Sequence, residues 1–360
     1  MKSRFLRSVA AVLTAAVLLA GCSSGSGSKP QGSGSGTTDF KGQTLIVTSY
    51  GGSWEEFMRK EIIPDFEKQT GAKVELAVGL SKDWMAKLRA AGKNNPPYDV
   101  VIANSTWVSG ARKEGYFESL SEQKVPNLKN VAKPLRNKGD NGVLGLFQPL
   151  GIAYRTDLVK TPPKSWKDLW NPEYKGKIGV YSANNSAMPM FLMLLGKIYG
   201  NDPKNMDIAF EKVKELKPFK QTDFSGDMEK LLTRGEVEVG ILDSPAAARL
   251  KKQGVKIEFV VPAEGMFMFE QDMNITTGSK VKDLAYAFLN YQLSEPVQEK
   301  WAKAYYVTPA NTKVKIEGDL KKDIPITADQ IDKIHIWDWD WVNSGAKEKM
   351  IDRWNKEISG

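Results

Sequence analysis

Runs of β-forming residues and amphipathic segments alternate along the first third of this chain. The segments that follow the strand pattern and the helix pattern in turn are 44–49, 53–70, 74–78, 81–91 and 99–103. Apolar residues recur at helical intervals in the second of these, and Pro64 predicts either a kink in that helix or two short helices. Strands separated by helices build a parallel sheet that is covered on both faces, so this part predicts an α/β unit.

The same alternation returns after residue 177. Strands are predicted over 177–181, 237–242, 255–261 and the extended segment 267–276, and helices over 188–199, 202–216, 228–233, 246–253, 283–293 and 296–305. The tryptophan-rich tail over 328–358 is also predicted to be helical. The chain is therefore expected to fold as two α/β units.

The N-terminus has the three parts of a secretory signal. A basic start and an apolar stretch too short to span a bilayer precede small residues and Cys22. Leu19-Ala20-Gly21-Cys22 resembles the bacterial lipobox, which implies cleavage before Cys22 and its acylation. Residues 1–21 are then a signal peptide and 22–39 a flexible Gly/Ser-rich tether. The alternatives are an uncleaved anchor, or a cysteine in an ordinary signal peptide.

Composition narrows the classes of function. The formal net charge is +8, but the lysines are spread along the chain, as on a solvated surface, so we expect no nucleic-acid partner. The single histidine, His335, lies between isoleucines, and H-E-x-x-H, C-x-x-C and P-loop motifs are absent from the sequence. We expect no cofactor, no metal and no enzyme. A carboxylate-pair hydrolase is the disfavoured alternative, since two acids can meet from distant positions.

The loop after the first predicted strand carries the first candidate binding residues. In open α/β sheets, ligands bind beyond the C-terminal ends of the strands. Tyr50, Gly51, Gly52, Ser53 and Trp54 occupy this place. The glycines let the backbone approach a ligand, and free amides at a helix start favour an anionic group. The structural alternative is a tight turn with Tyr50 packed in the core.

Corresponding loops supply the other candidates. They are Ser105, Trp107, Asn184, Asn185, Ser186, Asp223 and Asp243. These loops converge only if the two units face each other across a cleft. For Asp243 the structural alternative is a cap on the helix that starts near Ala246.

Five segments together resemble the solute-binding proteins of bacterial ABC importers, in particular the spermidine/putrescine-binding group. They read YDVVIANSTWVSGARKEGYFESL, SWKDLWNPEYKGKIGV, GEVEVGILDSPAAARLKKQG, LAYAFLNYQLSEPVQEKWAKAYYVTPAN and DWDWVNSGAKEKMIDRW. The resemblance implies the two-lobed periplasmic-binding-protein type II fold, with parallel-sheet lobes joined by crossover strands, and a monomer that serves a membrane permease from outside the cytoplasm. We expect lobe 1 over 40–150 with about 272–312, and lobe 2 over 151–271, with 313–360 packing on lobe 2.

The resemblance also implies carboxylates and aromatic rings around a cationic solute, and this chain departs from that pattern. Phe269 and Gln271 align where a tryptophan and an aspartate are usual, with Asp272 one place beyond. Asparagines and a serine at 184–186 replace acids.

The loss of acids limits the charge of the expected solute. A buried ammonium group needs a carboxylate partner, and Asp243, helped by Asp223, is the clear acid that is left. We expect a small mono-cationic or zwitterionic nitrogen compound, with any anionic end at the amides of Gly52 and Ser53.

A ferric-ion-binding importer subunit is the alternative within the same class. Tyr305-Tyr306 is similar to the tyrosine pairs of such proteins. The pair precedes a Thr-Pro-Ala-Asn turn over 308–311, so we expect it to pack structurally.

Overall fold

The computed structural model describes residues 39–217 and 219–359. Its central element is a mixed sheet of ten strands. Its strands are β1 (Thr44–Ser49), β2 (Lys73–Val78), β3 (Val100–Ala103), β4 (Val143–Arg155), β5 (Ile178–Tyr181), β6 (Lys220–Thr222), β7 (Val239–Asp243), β8 (Ile257–Val260), β9 (Phe267–Ile275) and β10 (Thr308–Pro309). The spatial order is β2-β1-β3-β9-β4-β7-β5-β6, with β8 and β10 also paired to β4.

Helices cover the sheet and join its strands. They are α1 (Ser53–Phe57), α2 (Ile63–Thr70), α3 (Ser81–Ala91), α4 (Ser105–Lys113), α5 (Ala187–Gly200), α6 (Met206–Leu216), α7 (Ser225–Arg234), α8 (Ser244–Lys252), α9 (Lys282–Gln292), α10 (Glu295–Tyr305), α11 (Leu320–Asp323), α12 (Trp339–Trp341) and α13 (Lys347–Glu357). A π-helical turn, Met58–Ile62, joins α1 to α2 and places Pro64 in the first turn of α2, where its missing N–H costs nothing.

Several elements differ from the sequence prediction, which lacks the short strands β6 and β10 and the short helix α11. Helix α4 is absent from the prediction, because the serine, glycine and threonine within it are weak helix formers. The tail is not one helix: a 3₁₀ segment (Ala328–Lys333), α12, a π-helical turn (Val342–Ala346) and α13 follow one another. Gly345, with φ of 104°, interrupts the helical path ahead of α13.

The sheet has two parallel parts joined by two long antiparallel strands. β1 pairs in parallel with β2 and β3, and β5 pairs in parallel with β6 and β7. Between them, β4 and β9 pair antiparallel to each other, while β9 also borders β3 and β4 also borders β7. The two-lobed α/β fold with crossover strands is confirmed, although each crossover also continues the sheet of both lobes.

Separate hydrophobic cores lie on either side of this crossover region. On β4, Phe147 belongs to the core that contains β1 and β3, whereas Leu150 belongs to the core that contains β5 and β7. On β9, Met273 belongs to the first core and Phe269 to the second. The chain thus changes core within three residues on β4, whereas on β9 the neighbouring residues Met268 and Phe269 already belong to different cores.

The C-terminal tail packs on lobe 2 and also contacts lobe 1. Met350 and Trp354 of α13 join the core of lobe 2, and α13 packs on α5 and α6. Ahead of α13, Asn343 Nδ2 donates to Ser109 Oγ on α4 of lobe 1 at 2.7 Å. Lys347 Nζ donates to the Thr106 carbonyl, also on α4, at 3.2 Å. The tail therefore straddles the two lobes.

Candidate functional site

A cavity of about 750 Å³ lies between the lobes, at the C-terminal ends of the parallel strands. Lobe 1 lines it with Tyr50, Gly51, Gly52, Trp54, Leu80, Ser81, Lys82, Asp83, Asn104, Trp107 and Tyr305. Lobe 2 contributes Asn184, Asn185, Ser186, Asp223, Phe224, Ser225, Gly226, Glu229, Asp243 and Arg249, and the crossover strands add Gln148, Phe269 and Gln271. Most of the residues predicted from loop positions are therefore brought together in one cleft.

Tyr50 both packs against neighbouring side chains and lines the cleft, so a packing role and a place in the candidate site are compatible. Its hydroxyl donates to Asn104 Oδ1 at 3.0 Å and lies 2.6 Å from Ser81 Oγ, and its ring packs 5.2 Å from the ring of Trp84. Burial raises the pKa of this phenol above its ordinary value. Asn104 in turn donates to the Glu270 carbonyl at 3.0 Å. The hydroxyl is fixed to the protein, and the ring presents a rigid apolar surface.

The turn that follows Tyr50 requires glycine at one position. Gly52 has a φ of 71°, in the region that L-residues with side chains rarely adopt. Glu55 and Glu56 lie in the first turn of α1, which is only five residues long. Two carboxylates at this helix start oppose an anion there, which argues against the expected anionic end at Gly52 and Ser53. The Ser53 side chain lies outside the described part of the structure.

Aromatic rings form two walls of the cleft. Trp54 stacks on Trp301 with centroids 4.1 Å apart, and Tyr305 meets Trp54 edge-on at 5.4 Å. On the other side, the Lys347 ammonium lies 4.2 Å from the centre of the Trp107 ring. Phe269 meets Tyr181 edge-on at 6.0 Å. Ring faces attract cations, and two of these rings already have a protein cation over them, Lys347 at Trp107 and Arg249 at Tyr305.

The loop after β5 is tied to the loop after β6. Asp223 accepts hydrogen bonds from Ser182 Oγ and, at 3.3 Å, from Asn184 Nδ2. Asn185 Nδ2 donates to the Asp223 carbonyl at 2.9 Å, while its Oδ1 accepts from the Ala187 amide at 2.8 Å. Because these partners occupy its oxygens and the side chain is exposed, Asp223 is a weaker partner for a buried cation than Asp243 is.

Asp243 caps a helix and also lines the cleft. Its Oδ1 accepts from the Ala246 amide at 3.0 Å and so caps α8. The residue is 2% exposed and lines the cleft. Burial raises the pKa of this carboxyl, and the nearby Arg249 guanidinium opposes that shift. A desolvated carboxylate of this kind gains most when a cation joins it.

Sequence reasoning missed Arg249 and Glu229, which form an ion pair inside the cleft. Arg249 Nη2 lies 3.3 Å from Glu229 Oε1, and the guanidinium carbon lies 4.8 Å from the centre of the Tyr305 ring. Burial raises the pKa of Glu229, against the effect of Arg249. The two residues sit within helices, beyond the strand-end loops, but each lies only four or five residues past a helix start. That position was the available signal.

Tyr305 lines the cleft, contrary to the expectation that the tyrosine pair only packs. Tyr306, with a φ of 60°, turns away and packs on the small cluster of Ala302, Val314, Ile316 and Ile324. Adjacent residues thus face different surroundings.

Asp272 and Ser105 lie beneath the cleft and do not line it, which corrects two of the expected binding residues. Phe269 and Gln271 face the cleft, so alternation along β9 turns Asp272 to the opposite face. There its carboxylate accepts from Arg112 Nη2 at 2.6 Å and from Ser105 Oγ at 2.9 Å. Asp272 is fully buried, and these contacts join lobe 1 to the crossover strand.

Glu270 shares the buried face of β9 with Asp272. It is 2% exposed, and its Oε2 has no hydrogen-bond partner in the ranges that the structure describes. Burial, with a further contribution from Asp272, raises the pKa of Glu270 to about 8. Arg112 compensates one negative charge here, and Glu270 therefore keeps its proton at neutral pH.

His335 lies away from the cleft. Its Nε2 is 2.8 Å from the Glu264 carbonyl, which can only accept, so Nδ1 is the unprotonated nitrogen that accepts from Lys197 Nζ at 3.0 Å. Burial and Lys197 lower the pKa of this imidazole. Among the described residues, no group of three or more His, Cys, Asp and Glu side chains is placed to hold a metal ion. None of the described helices has the length and apolar character needed to cross a membrane.

Comparison with known proteins identifies the class that this cleft and fold define. A sequence model of the bacterial extracellular solute-binding proteins matches residues 61–328, and the chain belongs to this family. The spermidine/putrescine-binding periplasmic protein 1 of Haemophilus influenzae is 30% identical over 280 residues, which cover 74% of this chain and 76% of the relative. The spermidine/putrescine-binding periplasmic protein of Escherichia coli K12 is 29% identical over 276 residues, or 73% and 77% of the two chains.

A solved structure agrees with these relatives. An ABC transporter protein from Clostridium perfringens superposes with a TM-score of 0.74 at 27% identity, covering 87% of this chain and 99% of its own. Proteins of this family are not enzymes: they bind small solutes outside the cytoplasm and work with an ABC permease.

Proposed function

We propose that this protein captures a small amine-bearing organic solute between its lobes and delivers it to an ABC permease. The observation that carries the proposal is the carboxylate of Asp243, which is 2% exposed and opens into a cleft walled by aromatic rings. Carboxylates and ring faces are the partners that ammonium groups prefer. The names of the relatives, which specify spermidine and putrescine, support a solute of this chemistry.

The charges in the cleft favour a solute with one ammonium group over a tri- or tetra-cation. Glu229 is already paired with Arg249, and Asp223 is held within its own loops. Asp83 also lines the cleft but is exposed to solvent, so Asp243 is left as the buried acid that meets a cation. Each further ammonium group would be desolvated without a carboxylate, at a cost of several kcal/mol. A mono-cationic or zwitterionic nitrogen compound fits this balance.

Ligand-induced stabilisation tests the proposal directly. The purified protein is screened by thermal shift against amines and against the matched alcohols, and hits are measured by isothermal titration calorimetry. A true ligand raises the melting temperature with concentration, since it stabilises by about 2.7 kcal/mol at 100 times its Kd. Binding of the alcohols with equal affinity, or the absence of binding by every amine, would overturn the amine assignment.

Anchoring and assembly state are further parts of this proposal. Cys22 lies outside the described residues, and its lipobox-like context supports acylation and attachment to the outer face of the cell membrane, with the solute-binding part acting as a monomer. Cys22→Ala is expected to move the protein from the membrane fraction to the soluble one with unchanged solute affinity. A Cys22→Ala protein that is processed normally and stays in the membrane fraction would exclude the lipid anchor.

A further inference from the structure

Arg249 carries a donor that the protein itself leaves unpaired. Its Nη2 is engaged with Glu229 Oε1 at 3.3 Å, and its guanidinium carbon is 4.8 Å from the Tyr305 ring centre, across the cleft. Nη1 is buried and has no hydrogen-bond partner within 39–217 and 219–359. An arginine stays charged at all relevant pH values, so this N–H group remains a charged hydrogen-bond donor. A buried, unpaired, charged donor is costly unless something completes it.

The cavity is where an acceptor for Nη1 can enter. Arg249 lines it, and Glu229, the acid that contacts this guanidinium, is paired with Nη2 and not with Nη1. The planar guanidinium fits a carboxylate, which accepts charge-assisted hydrogen bonds through two oxygens. An ammonium group has no acceptor to offer and adds a like charge beside the guanidinium.

A second unpaired group lies on the floor of the same cavity. Gln271, on β9, is 3% exposed, and its Oε1 lacks a hydrogen-bond partner in the described part of the chain. This atom accepts an N–H donor and carries no full charge. A second ammonium group, such as the far end of a diamine, would meet an amide here and not a carboxylate. The buried groups that face the cavity thus include an unpaired cationic donor (Arg249), a carboxylate (Asp243) and a neutral acceptor (Gln271).

We propose that the solute is an aminocarboxylate: its ammonium group pairs with Asp243, and its carboxylate is held by Arg249 through Nη1. The charges then alternate in sign: Glu229 is negative, Arg249 positive, the solute carboxylate negative, the solute ammonium positive and Asp243 negative. The inference rests on the proposed function, because it takes the cleft as the site of an amine-bearing solute. It goes further in assigning Arg249 as the anion-binding residue and in excluding simple diamines as the preferred class.

Four-carbon compounds that differ only in their charged groups test this assignment. The probes are 1-aminobutane, 1,4-diaminobutane, 2-aminobutanoate and 4-aminobutanoate, measured by calorimetry on the purified protein. At least one aminobutanoate is expected to bind more tightly than both amines, because only these probes supply an acceptor to Nη1. The two aminobutanoates report which spacing of the charges fits.

Variants at the same position connect the preference to Arg249. Arg249→Gln is expected to weaken the preferred aminobutanoate by roughly 30-fold or more, as when one partner of a buried charge pair is removed. The same change is expected to leave 1-aminobutane unchanged or tighter, since it removes a like charge. Arg249→Lys keeps the charge but not the planar fork, and should be intermediate. Arg234→Gln, an exposed site outside the cleft, is the matched control and should change no affinity.

Two results would overturn the inference in different ways. If 1,4-diaminobutane binds more tightly than both aminobutanoates, and Arg249→Gln weakens neither of them, the aminocarboxylate assignment is wrong while the amine-binding function stands. If none of the four probes binds the unaltered protein and amines fail in the wider screen, the proposed function fails together with it.

Discussion

Two aspartates that the sequence presents as alternatives have different structural roles. Asp243 lies in the wall of the cleft, whereas Asp272 lies beneath the floor, where Arg112 and Ser105 bind it. Both are almost fully buried, so exposure does not separate them. What separates them is whether the protein already supplies the opposite charge. Arg112 forms an ion pair with Asp272 and compensates its charge. The charge of Asp243 is not fully compensated by the protein, so a cationic solute can pair with it.

The substitution Asp243→Asn is expected to weaken binding of the amine-bearing solute by roughly 2–5 kcal/mol, because it removes one partner of a buried charge pair. Asparagine still caps α8 nearly as well, so the melting temperature without ligand should barely change. Calorimetry with the identified solute and a thermal scan measure the two effects. An affinity that changes by less than about 1 kcal/mol would make Asp243 a structural cap only.

Asp272→Asn is expected to show the opposite pattern. It leaves the Arg112 guanidinium partly unpaired in a buried site, which costs about 3–5 kcal/mol of folding stability. Solute affinity of the folded fraction should stay close to that of the unaltered protein, since Asp272 does not line the cleft. Denaturant unfolding reports the first quantity and calorimetry the second. A selective loss of affinity without loss of stability would place Asp272 in the site after all.

Glu270 predicts a pH dependence of stability. Its pKa is about 8 in the folded protein, against an ordinary value of 4.5, because of burial and of Asp272. Below pH 4.5 both states hold the proton; between the two values only the folded state does, so stability falls as the pH rises from about 4.5 to 8. Melting temperatures at pH 5 and 8 should differ less in Glu270→Gln than in the unaltered protein. An equal pH dependence in both would refute the raised pKa.

At the scale of elements, two helices at the cleft rim, α3 and α7, begin without the usual capping residue. Leu80 and Phe224 are the residues that precede α3 and α7, and both are extended in backbone conformation. Serine, threonine, asparagine and aspartate are preferred there because they accept a helix amide. The two side chains are instead 47% and 55% exposed and line the cavity from opposite lobes. Such a local inconsistency is expected where function overrides stability.

We therefore expect Phe224→Ser to change stability and affinity in opposite directions. The serine can cap α7, which adds about 0.5–2 kcal/mol of stability and raises the melting temperature without ligand. The lost ring removes apolar contact at the rim, so solute affinity should fall. Leu158→Ser, another exposed apolar side chain but one outside the cleft, is the control and should leave affinity unchanged. A capped, more stable variant with full affinity would show that the ring does not contact the solute.

At the scale of the whole molecule, β4 and β9 are the places where the chain crosses between two cores. Because the cleft is lined from both lobes and from these strands, a bound solute contacts both sides at once. The tail adds a third link, since Asn343 and Lys347 bond to α4 of lobe 1 while α13 packs on lobe 2. Motion between the lobes must bend the two strands and accommodate this link.

Solute binding is accordingly expected to close the lobes. Small-angle X-ray scattering of the purified protein should give a smaller radius of gyration at saturating solute than without it. The Asp243→Asn protein at the same solute concentration is expected to show a smaller decrease, because it binds the solute more weakly. An unchanged radius with a tightly bound solute would contradict closure, while leaving the fold and the binding site intact.

The sequence alone determined the local elements and the class of protein. Strands such as β1 and helices such as α3 and α10 follow from the spacing of apolar residues close together in the sequence. The cap that Asp243 places at the start of α8 is likewise a local feature. The five family-like segments indicated a solute-binding protein because they are distributed along the chain between residues 98 and 354. Strand-end loops were enough to find Tyr50, Trp107 and Asn185, since sheet topology places such loops at one edge.

Only the tertiary structure decided which side chains meet in the cleft. Whether Gln271 or Asp272 faces it depends on the register of β9 against β3 and β4, and a shift of one residue would exchange them. Arg249 and Glu229 come from different helices, and their meeting depends on how α7 and α8 pack. Local periodicity carries no information about such long-range pairing, because strand register and helix packing arise from contacts between residues far apart in the chain.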